Sequence, residues 1–225
     1  IGSVIAFIAV CFSFVKVPPL IDPHVTTEDI QSGKVNVDIA PGKKLFEHRH
    51  FVWAVAAQFF NVAAPAGTWA FFINYGHDVM GLPEVTAGNY MVLFMAMMLA
   101  GRFIGTLIMR VMAPNKLLAF YTFMCMILCV VVAQGFGWAS YIALFGINFF
   151  FSIMFPTIFS LGLKNLGKHT QQASSFLSMG VVGGAIFPFF MGAVADSAGV
   201  AQAYYLPIIC YFVIFLFAFK FYKVR

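Results

Sequence analysis

Charge is what this sequence has least of. Asp, Glu, Lys and Arg make up 9% of its 225 residues, where a soluble domain carries about a quarter. Hydrophobic residues reach 62% and mean hydropathy is +0.92, which excludes a water-exposed globular fold. Acidic residues are scarcer still. All of them, Asp22, Glu28, Asp29, Asp38, Glu47, Asp78, Glu84 and Asp196, lie in loops or at the ends of apolar runs. No carboxylate stands at mid-membrane depth, so this stretch of chain offers no acid to carry a proton across a bilayer. The cysteines, Cys11, Cys125, Cys129 and Cys210, sit inside apolar runs and form no CxxC. They read as small packing residues, not as a disulfide framework or metal site. Formal net charge is +5, but the basic residues are scattered among short loops, so a nucleic-acid partner is not expected. Nothing has the spacing of a zinc site, a P-loop or an activated nucleophile, and neither an enzyme nor a bound cofactor is expected.

What is present is a series of apolar runs, at about 51–75, 89–109, 117–134, 141–163, 173–195 and 203–220. Each approaches the roughly 20 residues of a membrane helix. The fold class that follows is an all-α membrane protein with a six-helix bundle over 51–225 and a short tail. Residues 1–15 form a shorter apolar run, expected to be the end of a membrane helix that begins upstream, which would make the chain a fragment. Residues 16–50 are the one long polar stretch, broken by Pro18-Pro19, Asp22-Pro23 and Pro41-Gly42. They read as a tether between two bundles, with a short helix over Glu28 to Gln31 capped by Thr26 or Thr27.

Orientation follows from the basic residues. Lys16, Lys34, Lys43, Lys44 and Arg49 lie in the tether, Arg110 and Lys116 after the second full span, Lys164 and Lys168 after the fourth, and Lys220, Lys223 and Arg225 at the end. The loops on the other face, 76–88, 135–140 and 196–202, contain no Lys or Arg. Positive loops stay in the cytoplasm, so the tether and the C-terminus are expected inside.

Polar residues within the spans supply the candidate site. On the first full span, Gln58, Asn61, Pro65, Thr68, Trp69 and Phe72 fall within an arc of about 100°. Amides match sugar hydroxyls, an indole can stack on a pyranose face, and a mid-span proline frees a backbone carbonyl. The fourth span, within the stretch from Phe145 to Ser178, places Asn148 and Ser152 four residues apart with Phe145, Phe155 and Phe159 on the same face. Gln58, Asn61, Trp69, Asn148, Ser152 and Phe155 are the expected substrate-binding residues, with Pro65, Pro156 and Arg102 in gating or coupling. The same amides also suit interhelical glue, and Arg102 could instead snorkel to the cytoplasmic interface. Gly101 and Gly105 form a GxxxG, and Gly180 and Gly184 mark the packing side of the fifth span, opposite Ser174 and Ser178.

Taken in order, these stretches resemble the C-terminal half of a major facilitator superfamily transporter of the fucose permease family, the fucose, galactose and glucose proton symporters. The resemblance rests on Gly101 to Lys116 (GRFIGTLIMRVMAPNK), Ser152 to Gly167 (SIMFPTIFSLGLKNLG), the SSF, GG and MG-AD elements between Ser174 and Asp196, and His50 to Ala54 (HFVWA). It implies a twelve-helix carrier in a bacterial inner membrane, working by alternating access, with a neutral monosaccharide at the interface of two bundles. It also implies a proton as coupling ion and an N-terminal bundle as partner, which carries the coupling acids. Two departures separate the chain from the family pattern: the coupling acids are absent from this stretch, and it lacks the Gln near Pro65 and the Gln near Met154 of the fucose-transporting pattern. A glucose- or galactose-like hexose is therefore expected in place of fucose. A carrier of another small polar solute, or a non-transporting membrane sensor or assembly protein, would use the same bundle.

Overall fold

The computed structural model describes residues 45–222. The expected helix end at 1–15, the short helix over Glu28 to Gln31 and most of the tether lie outside the described residues. Among the described residues there is no strand, and helices follow one another with short connections.

The first helix, α1 (Arg49–Ala70), continues after an interruption at Phe71 into α2 (Phe72–Asp78). Its small residues Ala54, Ala57, Ala63, Ala64 and Gly67 are buried, so neighbouring backbones can come close on several sides. Accordingly α1 is central. It packs against α6 (Met154–Gly162), α8 (Gly183–Ala198) and α10 (Tyr205–Leu216).

The second span is α3 (Glu84–Ile108), the third is α4 (Pro114–Ala133), and α5 (Trp138–Phe151) begins the fourth. Pro114 opens α4 at a position where a missing N–H costs nothing. Between α4 and α5 the chain reverses through Gly135 and Gly137, with φ of 68° and 61°, values that glycine adopts without strain. Ser140 fastens this turn, accepting from Phe136 N at 2.8 Å and donating to Val131 O at 2.6 Å. The fifth span is α7 (Thr170–Met179), a tight turn at Gly180–Val182, and α8. The short α9 (Val200–Ala203) leads into α10, and a π turn over Phe217–Phe221 ends the described chain.

Among the described residues, five helical stretches are long and apolar enough to cross a membrane: Glu84–Ile108, Pro114–Ala133, Trp138–Gly162, Thr170–Ala198 and Val200–Phe221. The sixth run expected from sequence is α1. Its 22 residues span about 33 Å at 1.5 Å each, against a hydrocarbon core of about 30 Å. It is long enough but less apolar, because Gln58, Asn61, Pro65 and Thr68 interrupt it. These four are buried inside the bundle rather than turned to lipid.

The fourth span departs from the continuous helix expected over 141–163. It breaks at Ser152 and Ile153, between α5 and α6. Pro156 has no N–H for the carbonyl four residues earlier, which is that of Ser152. Upstream, Ser152 N turns back to Phe149 O at 3.4 Å instead of continuing the α-helical pattern. The aromatic stripe expected on a straight helix is divided as a result. Phe145 packs with Phe72, Phe94 and Tyr141, while Phe155 stacks on Phe159.

Candidate functional site

One face of α1 and the broken fourth span share a cleft. Val62, Pro65, Ala66 and Trp69 line it at i, i+3, i+4 and i+7, with Met98 and Arg102 of α3, Phe151, Phe155 and Val181 completing its wall. Its volume is about 230 Å³, below the roughly 300–1,000 Å³ of closed small-molecule pockets. That size suits one wall of a site. Trp69 and Arg102 are the lining side chains that carry polar atoms.

Trp69 is held by the fourth span. Its Nε1–H donates to Asn148 Oδ1 at 3.0 Å, and Asn148 Nδ2 donates to the Phe94 carbonyl at 2.6 Å. Asn148 thus joins α1, α3 and α5 from behind the cleft wall, 1% exposed. Phe151 meets the Trp69 ring edge-on, with centroids 6.0 Å apart.

Arg102 reaches the break itself. Its Nε and Nη2 donate to Ser152 O at 3.3 and 3.2 Å. Two glycines make this approach possible: a Cβ at Gly101 would collide with the Phe149 carbonyl, and one at Gly105 would come within 2.7 Å of Ile153 Cγ2. A Cβ at Gly183 would collide with the Phe59 carbonyl, while Gly180 sits against Gln58 and Phe59 and Gly184 against Val62. The hydroxyls of Ser174 and Ser178, on the exposed side of the fifth span, bond back to their own helix at Thr170 O and Ser174 O.

The polar arc expected on α1 is split. Pro65 and Trp69 line the cleft, whereas Gln58 and Asn61 are turned into the bundle at 0% exposure. Both side-chain atoms of each amide are buried without a hydrogen-bond partner in the protein. Thr68 bonds its own helix at Ala64 O, 3.0 Å away. Arg102 and Phe155 line the cleft, Ser152 is buried with its carbonyl under Arg102, and Pro156 is exposed. Sequence reasoning left out Val62, Ala66 and Met98, apolar residues that look like any others in a membrane helix. It also left out Phe151, although its place next to Ser152 was the available signal.

At the N-terminal end of α1, His50 Nε2–H donates to the Lys164 carbonyl at 3.0 Å, tying the start of α1 to the end of the fourth span. Burial lowers the His50 pKa, the bond to Lys164 raises it, and nearby His48 lowers it further, the net direction being down. On the opposite face, His77 Nδ1 meets Asp78 Oδ1 at 2.8 Å, and this contact raises the His77 pKa.

A sequence profile of the Major Facilitator Superfamily matches residues 1–181. The chain belongs to the major facilitator superfamily. The L-fucose-proton symporter of Escherichia coli (strain K12) is 39% identical to this major facilitator chain over 221 residues, 97% of the chain and 49% of the relative. A putative glucose/galactose transporter of Helicobacter pylori (strain ATCC 700392 / 26695) is 38% identical over 186 residues, 80% of the chain and 46% of the relative. The glucose/galactose transporter of Brucella abortus biovar 1 (strain 9-941) is 35% identical over 206 residues, 91% of the chain and 48% of the relative. The chain spans about half the length of the curated relatives it matches. A crystal structure of the transporter FucP in the outward conformation superposes with a TM-score of 0.81 at 34% identity, over 99% of this chain and 53% of that one. These similarities are those of the C-terminal half of a fucose permease-like member, and the relatives are transporters, not enzymes. This is an all-helical, multi-pass membrane protein.

Proposed function

We propose that the chain forms the C-terminal half of a secondary active carrier that imports a neutral monosaccharide by alternating access. The supporting observation is the cleft on α1, which is lined by the indole-bearing Trp69, by Phe151 and Phe155 and by Arg102. Aromatic rings take the apolar face of a pyranose, and guanidinium donors take its hydroxyls. No carboxylate faces the cleft among the described residues, which fits an uncharged solute.

A glucose- or galactose-like hexose is the substrate favoured over fucose, because the fucose-transporting pattern has a Gln near Pro65 and another near Met154 that this chain lacks. Trp69 and Phe155 bind the ring face. Asn148 sets the indole, Ser152 presents its carbonyl to Arg102, and Gln58 and Asn61 supply hydroxyl partners when α1 shifts against the fifth span. Pro65 and Pro156 are the bending points. A proton is the coupling ion, and its acid belongs to the facing bundle. Asp78, Glu84 and Asp196, the carboxylates nearest the described spans, lie at their ends. A cytoplasmic C-terminus is supported by the basic loops, and a bacterial inner membrane is inferred through the family alone.

Uptake of radiolabelled D-glucose, D-galactose and L-fucose into vesicles carrying the complete carrier tests this reading. Hexose accumulation driven by a pH gradient, and resistant to competition by nucleosides and amino acids, is expected. Binding without accumulation would indicate a sensor, and competition by amino acids or nucleosides another solute class.

A further inference from the structure

We infer that Arg102 is a positioning residue: its guanidinium stands in for the backbone donor that Pro156 lacks, and so fixes the bend of the fourth span. Within an α-helix the carbonyl of Ser152 would accept from the N–H at position 156. Proline has none, and its ring crowds that carbonyl, so the helix breaks at Ser152 and leaves an acceptor bare inside the membrane. Both Nε and Nη2 of Arg102 converge on this oxygen, at 3.3 and 3.2 Å. A guanidinium presents these two N–H groups in one rigid plane, a geometry that a lysine ammonium does not reproduce.

The surrounding packing is built to allow the contact. Gly101 abuts the Phe149 carbonyl and Gly105 abuts Ile153, so α3 lies directly on the break. Snorkelling towards the cytoplasmic interface would give Arg102 water for a partner and would not need two glycines at this seam. Phe151 and Phe155 flank Ser152 in sequence and both line the cleft. The bend that Arg102 holds therefore sets the seat of both rings. This inference concerns the fourth span itself and stands apart from the identity of the transported solute.

Hydrogen–deuterium exchange of the peptide covering residues 149–157, measured on the 225-residue chain in micelles, reads the bend directly. Arg102→Leu is expected to raise exchange there about tenfold or more, the scale of one lost charge-assisted hydrogen bond. Pro156→Ala in the same background restores an N–H to Ser152 O and is expected to return exchange to near the wild-type rate. Unchanged exchange in Arg102→Leu overturns the inference, as does an increase that Pro156→Ala leaves uncorrected. If Arg102→Leu alone fails to fold, recovery of folded protein in the double variant supports the clip, and continued failure overturns it.

Discussion

Trp69 and Asn148 are joined by a 3.0 Å hydrogen bond across two spans. The indole faces the cleft while the amide lies behind it, its nitrogen committed to the Phe94 carbonyl. Asn148 thus works on the cleft through Trp69. Asn148→Ala frees the indole to rotate and strips two partners of their bonds. A fivefold to hundredfold weaker hexose affinity is expected in the complete carrier, from roughly 1–3 kcal/mol of lost hydrogen bonding, with a changed Trp fluorescence spectrum. Unaltered fluorescence and affinity would detach Asn148 from the site.

Gln58 and Asn61 present a different case, since their amides are buried and have no partner in the protein. Leaving such groups unpaired costs roughly 1–3 kcal/mol each, a strain that function can explain and packing alone does not. Replacing Gln58 with Met, or Asn61 with Leu, is expected to raise the thermal midpoint by about 2–4 °C per kcal/mol recovered while weakening hexose binding. Calorimetry together with a binding titration separates the effects. A lower midpoint with unchanged affinity would make these amides structural.

The glycines divide by what lies opposite them. A Cβ at Gly183 would meet the Phe59 carbonyl, which cannot move without shifting α1, whereas one at Gly184 would meet a Val62 methyl at 3.0 Å. Gly183→Ala is therefore expected to lower the thermal midpoint by several degrees, at a cost on the order of 1–3 kcal/mol, and Gly184→Ala by less. Equal effects would mean that backbone contact at this seam is not what requires glycine.

His50 makes the N-terminal end of α1 sensitive to acid. Its Nε2–H is committed to Lys164, so added protons go to Nδ1, which is buried and has no partner. With the native pKa lowered below the ordinary value of 6.5, the unfolded chain binds the proton first as pH falls. Stability from this group is present above about pH 6.5 and is lost below it. Thermal midpoints measured between about pH 7.5 and 5.5 should fall more steeply for wild type than for His50→Gln. Parallel slopes would assign the acid sensitivity elsewhere.

The runs of apolar residues were enough to locate the spans, because length and apolarity act directly on how a helix sits in lipid. The polar residues of α1 were also visible, but their division between cleft and interior was not. That division depends on where the fifth span's glycines dock, a tertiary fact. Less visible still were the partners of Arg102, Asn148 and His50, which are the carbonyls of Ser152, Phe94 and Lys164. Every residue carries a carbonyl, so sequence cannot mark which one is free. A proline such as Pro156 leaves the carbonyl four residues earlier without its N–H, but nothing in the sequence marks the arginine two spans away that covers it.

As one wall of the proposed proton-coupled hexose carrier, this bundle needs a facing bundle to work. The most direct test is D-glucose and D-galactose uptake into liposomes under an imposed pH gradient, comparing the 225-residue chain with the complete carrier. The complete carrier should accumulate hexose above equilibrium and the 225-residue chain should not, since its cleft has one wall and the described spans hold no acid at depth. Accumulation by the 225-residue chain alone, or none by the complete carrier, would contradict the account.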